Sequence, residues 1–277
     1  MATASQLQQL YVAYFGRAAD PSGIDYWVSK GTTTKEFAAH MHAQNEFQAT
    51  YGTKSVASQV NQIYQNLFGR DGDAAGLIYW ETQINNGTLA LASIANDLIY
   101  AVNNGSSATD LTALNNKTTA AASYTASLRL DADALIAYQP TATSPWAAGD
   151  GLTEGVAFIT SATATNAPSS SDVSTSIATV AALNLVGSSF SYTTASAGDK
   201  FTGTSKNDTF TGTHLTFEAG DETKGGTGTG DKLVFRNSEA DATADTLQPV
   251  VLEAVETIQV QNIGGAAFTM NLLSATG

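Results

Sequence analysis

The sequence contains no cysteine. That removes disulfides, thiolate zinc sites and cysteine nucleophiles together, and an extracellular protein without disulfides must take its cross-links from elsewhere, with calcium the obvious candidate. Charge is scarce as well: 13% of residues are charged, and 12 basic residues face 25 acidic ones, for a formal net charge of −13. The basic residues are scattered singly, so DNA or an anionic bilayer would be repelled and no nucleic-acid partner is expected. No run of 18 apolar residues occurs, which predicts no membrane insertion. The first ten residues, Met1 to Leu10, carry neither a basic n-region nor an apolar h-region. The chain is therefore expected to be soluble, and either cytoplasmic or exported without an N-terminal signal peptide.

Catalytic groups are equally sparse. The three histidines, His40, His42 and His214, have no matching acidic or nucleophilic constellation. On a helix His40 and His42 would point about 200° apart, a weak metal pair. Phosphate loops, a Gly-x-Ser-x-Gly elbow and a His-Glu-x-x-His zinc helix are all absent. An enzyme is not expected, and a polysaccharide-active one finds no paired carboxylates in a readable context.

What the chain does have is internal repetition. Tyr11-x-x-x-Phe15-Gly16-Arg17-x-x-Asp20-x-x-Gly23-x-x-Tyr26-Trp27 recurs, position for position, from Tyr64 to Trp80. Fixed-period similarity marks units that stack on their own copies to complete a core and that present surfaces to partners. Asp20 and Asp73 each follow a Gly-Arg turn and precede an apolar stretch, which predicts helix N-caps, with Pro21 at a first helical position. The Tyr26-Trp27 and Tyr79-Trp80 steps invite a carbohydrate reading, an aromatic face against sugar C–H groups with Arg17 and Arg70 nearby. The competing reading is that one large aromatic per repeat is its packing keystone and that the arginines bond helix carbonyls.

With 277 residues, 43% of them hydrophobic, the chain has room for two packed domains. The apolar spacing is helical from residue 5 to about 137, as in Val56, Val60, Ile63, Tyr64 and Leu67. Pro140, Pro145 and Gly149 break the pattern, and a last helix is expected behind a Ser171-Asp172 cap, ending near Gly187. Beyond about 190 the period changes to short strand-like runs, among them Phe210, Leu233 to Phe235, Val250 to Leu252 and Met270 to Leu272, separated by Gly, Asn, Asp and Thr. The expected fold is a multi-domain α+β protein, with an all-α N-terminal domain of packed helices followed by a short parallel β-solenoid segment. Residues 1–109 are read as the tandem helical repeats, 110–190 as further helices completing that domain, and 191–277 as the start of a β solenoid. The chain is expected to be the N-terminal part of something longer.

The acidic residues gather in the β region, 11 against 5 basic ones from Asp199 onward. Two stretches there, Gly203 to Gly212 with Asn207-Asp208, and Gly220 to Leu233 with Asp221, Gly226, Gly228 and Asp231, approximate a Gly-Gly-x-Gly-x-Asp-x-Leu nonapeptide. Glycines in such turns expose carbonyls and Asp supplies hard anionic oxygen, the donors from which calcium takes its six to eight ligands. The copies are imperfect, and Gly230 adds a residue before Asp231; the competing reading is that these are ordinary turn residues.

The tandem Phe-Gly-Arg-x-x-Asp-x-x-Gly-x-x-Tyr-Trp units, over roughly residues 5–105, resemble the DUF4214 module of large bacterial surface and RTX-type exported proteins. The Gly/Asp-rich stretch and Leu252 to Val260 are similar to the start of the calcium-dependent β solenoid in Gram-negative surface-layer (S-layer) proteins. The resemblance implies a structural subunit on the cell surface, outside the cell. It would be exported by type I secretion, anchored by its helical domain to the lipopolysaccharide O-chain, and assembled with other copies into a two-dimensional lattice. It also implies calcium held by Asn207, Asp208, Asp221, Gly226, Gly228 and Asp231. Arg17, Tyr26, Trp27, Arg70, Tyr79 and Trp80 are polysaccharide candidates by residue type alone. The alternative is a spacer or interaction module of a secreted RTX adhesin or exoenzyme.

Overall fold

The computed structural model describes residues 1–194, 197–237, 245–246, 250–262, 268–269 and 272–276. Met270 and Asn271 of the last expected strand lie outside them. The chain divides into two compact units, Met1–Asn184 and Leu185–Gly277. The division expected at 190/191 thus falls at 184/185.

The first repeat forms α1 (Ala4–Phe15), α2 (Pro21–Ser29), α3 (Thr34–Ala43) and α4 (Asn45–Tyr51). The second forms α5 (Val56–Phe68), α6 (Ala74–Asn85), a 3₁₀ turn at Leu91–Ser93 and α7 (Ile94–Asn103). From Leu7 to Phe15 helix α1 buries every side chain but Gln9 and is enclosed on both sides there. Leu7, Leu10, Tyr11, Tyr14 and Phe15 pack into a core with Phe37, Phe47, Ile63, Leu67 and Leu98, so the two copies share one interior. Asn66 of the second copy donates to the Ala13 carbonyl of the first at 2.9 Å.

Val12 and Ala18 face a second cluster, built with α8 (Ala108–Leu128), α9 (Ala132–Ala137), α10 (Asp150–Ser161) and α11 (Ser170–Leu185). Helix α8 lies inside the first unit, Met1–Asn184. A two-stranded ribbon, β1 (Ala142–Thr143) with β2 (Trp146–Ala147), precedes α10. Helix α10 is absent from the sequence reading because it is rich in glycine. Two of those glycines allow close approach: a Cβ on Gly151 would lie 2.3 Å from the Ala137 carbonyl, and one on Gly155 2.5 Å from the Tyr138 ring. The last helix is capped by Ser169, whose hydroxyl accepts from Asp172 N–H while the Asp172 carboxylate accepts from Ser169 N–H, not by Ser171. The helix ends at Leu185, two residues before Gly187, which already lies in a strand. Among the described residues no helix is long and apolar enough to cross a membrane.

In the second unit β3 (Val186–Ser191), β5 (Asn207–Thr213), β7 (Lys232–Asn237) and β10 (Thr257–Asn262) form one parallel sheet. A second parallel sheet contains β4 (Lys200–Thr202), β6 (Glu222–Lys224), β9 (Val250–Glu253) and β12 (Leu272–Thr276), and β8 (Asp245–Thr246) pairs with β11 (Phe268–Thr269). The chain thus visits the two larger sheets alternately. Phe190 pairs with Phe210, Phe210 with Leu233, and Leu233 with Ile258, steps of 20, 23 and 25 residues. All exceed the roughly 18 residues that two nonapeptides would give. Tyr192, Phe210, Phe217, Leu233, Phe235 and Leu252 are the apolar filling.

Candidate functional site

The repeat motif resolves into one local device built twice. Phe15 and Phe68 set their rings edge-on to Tyr11 and Tyr64, one turn earlier. Gly16 and Gly69 end their helices in the left-handed region, φ +69° and +70°, which turns the chain without strain only at glycine. The following arginines each make a two-pronged ion pair, Arg17 with Glu46 at 2.7 Å and Arg70 with Asp110 at 2.6 and 2.8 Å. Each also donates to the carbonyl of the next residue, Ala18 or Asp71. Asp20 and Asp73 are N-caps, accepting from Gly23 and Gly76 N–H at 2.6 and 2.8 Å.

The copies differ where they meet their surroundings. Arg17 is buried beneath the rings of Tyr11, Phe15 and Tyr138, whereas the Arg70 side chain is 43% exposed. Burial opposes the Arg17 charge, and Glu46 more than offsets it, so the guanidinium holds its proton more firmly than an ordinary arginine. Gly23 is confined too: a Cβ there would lie 2.6 Å from the Tyr11 hydroxyl and 2.7 Å from Asp20, while at Gly76 the nearest atom is 3.2 Å away. Gly23→Ala is accordingly expected to destabilise the helical unit by about 1–3 kcal/mol. Gly76→Ala should be neutral or stabilising by up to about 1 kcal/mol, since alanine suits a helix better. Urea unfolding of the two variants checks the contrast.

Of the polysaccharide candidates, Trp27 is half-buried against Phe37 and His40, and Trp80 donates its indole N–H to Tyr64 Oη at 3.1 Å. Both tryptophans pack against the core, the keystone position, while Tyr26 and Tyr79 remain about half exposed. The first repeat keeps one small polar cleft of about 170 Å³, lined by Arg17, Asp20, Trp27, His40, Gln44 and Glu46 among others. His40 Nε2 lies 2.8 Å from Gln44 Nε2 within it. Arg17 and Trp27 therefore share a cleft; Tyr26, Arg70, Tyr79 and Trp80 do not line it.

In the strand unit the carboxylates are backbone acceptors, a use the sequence reading did not contain. Asp208 takes N–H bonds from Ser188 and Thr204, both at 2.5 Å, one on each oxygen. Asp221 does the same with Asp199 and Glu218 N–H, at 2.7 and 2.8 Å. Asp231 accepts from Asp208 N–H at 2.6 Å, and Asp231 N–H donates to Glu256 at 2.7 Å, so successive turns are linked carboxylate to amide. Asp231 Oδ2 is different: it is buried and has no hydrogen-bond partner among the described residues. Burial pushes the Asp231 carboxyl above the usual Asp range, and the charges of Glu256 and Asp208 push the same way.

The glycines of this region let turns touch. At Gly226, φ +104°, a Cβ would lie 2.1 Å from the Thr204 carbonyl, and at Gly228 one would lie 2.3 Å from that of Lys206. The side chain of Asn207 abuts Gly230. Among the described residues no three His, Asp or Glu side chains gather as a metal cluster. Of the carboxylates expected to hold calcium, Asp208 and Asp221 have both oxygens engaged by N–H groups, whereas Asp231 Oδ2 accepts no hydrogen bond among the described residues and keeps capacity for a cation.

The folds and sites so far define a tandem helical-repeat unit followed by a unit of parallel strands stacked through Gly/Asp turns. Residues 38–100 match the family described as "Domain of unknown function (DUF4214)". That span contains the second copy of the motif whole and leaves the first, at 11–27, outside. No curated protein and no solved structure matches the chain.

Proposed function

We propose that this chain is a non-enzymatic structural segment of an S-layer protein, anchored through its helical unit to the lipopolysaccharide O-chain and assembled with other copies on the outside of the cell. In this reading the strand unit is an RTX-like β solenoid ordered by calcium. The observation that carries this reading is the stack of parallel strands whose Gly/Asp turns touch and whose Asp231 Oδ2 is buried without a hydrogen-bond partner among the described residues. A hard cation there satisfies the oxygen and offsets part of the −13 charge. Asp231 would hold it, with carbonyls of the Gly226 and Gly228 turn; Asn207, Asp208 and Asp221 would brace the surrounding backbone. Calcium would supply electrostatic cross-linking where the chain has no disulfides.

The second reading is a spacer or interaction module of a secreted RTX adhesin or exoenzyme. It is favoured by the way the repeat motif is absorbed in packing, capping and ion pairs.

Retention of the purified chain on lipopolysaccharide, with and without O-chain, in calcium and then in chelator, tests the two. Selective retention on the O-chain form is the expected result, and no retention in calcium moves the assignment to the spacer. Chelator is also expected to expose the region after residue 199 to proteolysis more than the helices. Asp231→Asn should abolish that calcium response, and equal cleavage of both units would count against calcium.

A further inference from the structure

We infer that the groove lined by α1 and α7, with Thr34 at the start of α3, is a binding site for a neutral sugar. The groove measures about 530 Å³, within the roughly 300–1,000 Å³ of small-ligand sites. Gln6, Gln9, Asn96 and Asn103 bring four carboxamides to it, Asp97 a carboxylate, and Tyr100 a ring that is 70% exposed. Helix α1 belongs to the first repeat and α7 to the second, so the groove exists only once the copies have packed together.

Internal bonds hold these side chains without using them up. Asn96 donates to the Thr34 carbonyl at 3.2 Å, Asn103 to the Ile99 carbonyl at 2.8 Å, and Asp97 Oδ2 accepts from the Ser93 hydroxyl at 3.0 Å. The second oxygen of Asp97 and the side-chain oxygens of both asparagines remain as acceptors. No described residue bonds to the Gln9 carboxamide, which keeps both donor and acceptor.

The ligand class follows from what lines the groove. No Lys or Arg is present and Asp97 is, in a chain of net charge −13, so anions are repelled. A single carboxylate is too few for a calcium site. Carboxamides and a carboxylate match hydroxyls, which both donate and accept, and the exposed Tyr100 ring offers an apolar face to the C–H side of a pyranose. This rests on the O-chain reading for its biological ligand, and moves the sugar contacts from the Tyr-Trp steps to a surface that both repeats build.

The test follows the side-chain amide resonances of Gln6, Gln9, Asn96 and Asn103 in the full chain. Glucose, galactose, mannose, rhamnose and N-acetylglucosamine are added separately. At least one sugar should shift these resonances saturably, and Tyr100→Ala, at an exposed position, should weaken that binding about tenfold, the loss of one stacking surface. Gln9→Ala should weaken it as well, with circular dichroism unchanged in both variants. Absence of saturable shifts with every sugar, or undiminished binding by Tyr100→Ala, overturns the site. Lipopolysaccharide retention separates the two readings. Equal retention of wild type and Tyr100→Ala keeps O-chain anchoring and removes the groove, whereas sugar binding without retention keeps the groove and removes the O-chain.

Discussion

Arg17→Ala is expected to destabilise the helical unit by about 3–5 kcal/mol, because it leaves the largely buried Glu46 carboxylate without its partner. The same substitution also empties the space beneath three aromatic rings and removes one of two donors to the Ala18 carbonyl, which keeps the Tyr138 hydroxyl. Arg70→Ala is expected to cost less, about 1–3 kcal/mol: Asp110 is itself only 5% exposed, but the Arg70 side chain that covers it is 43% exposed, so removing that side chain opens the carboxylate to water. Urea unfolding followed by circular dichroism reads both. Equal losses would mean that the pairs are equivalent despite their different burial. Arg17→Lys should recover only part of the loss, because a point charge cannot reproduce the two-pronged bond to Glu46.

The second large effect concerns Lys117 on α8. Its side chain is buried, its ammonium donates to the Ile159 carbonyl at 3.1 Å, and among the described residues no carboxylate pairs with it. Burial lowers its pKa from 10.5 to about 8. That drop corresponds to about 3 kcal/mol of lost stability wherever both folded and unfolded chains carry the proton, which is below pH 8. Between pH 8 and 10.5 the folded chain sheds the proton first, the unfolded chain binds more protons, and stability rises with pH. From pH 7 to about pH 9.5 the gain should be about 2 kcal/mol. Lys117→Met should be more stable than the parent at pH 7 and should lack that gain across the same window. The tyrosines Tyr11, Tyr14, Tyr51, Tyr124, Tyr138 and Tyr192, whose pKa values burial raises, withdraw stability as pH approaches and passes 10, in the parent and the Met variant alike, so the difference between the two curves isolates Lys117. A parent curve parallel to that of the Met variant would show that Lys117 reaches water.

Some of the site was legible and some was not. The N-cap role of Asp20 and Asp73 follows from their neighbours in sequence, because a cap bonds an amide three residues away. That the tryptophans pack inward was one of two open readings, and the rings of Phe37 and Tyr64 decided it. The partners of the repeated arginines were not legible at all: Glu46 lies 29 residues from Arg17, Asp110 lies 40 from Arg70, and α8 has no counterpart in the first repeat. Helix α10 was hidden because glycine signals a loop locally, whereas Gly151 and Gly155 are spaces kept for Ala137 and Tyr138. The Asp residues of the strand unit were read as cation ligands from their type. That Asp208 and Asp221 bond amides of neighbouring turns depends on strand register, which no local signal contains.

The sequence by itself determined the tandem repeat, the change from helical to strand periodicity and the caps of the motif helices. Each of these rests on interactions within a few residues or on repetition along the chain. Only the tertiary structure decided that Arg17 is buried while Arg70 is not, that Lys117 has no carboxylate partner among the described residues, and that one oxygen of Asp231 has no hydrogen-bond partner among them. Those outcomes depend on which distant surfaces meet, and burial sets the electrostatic cost of a charge only after they have met.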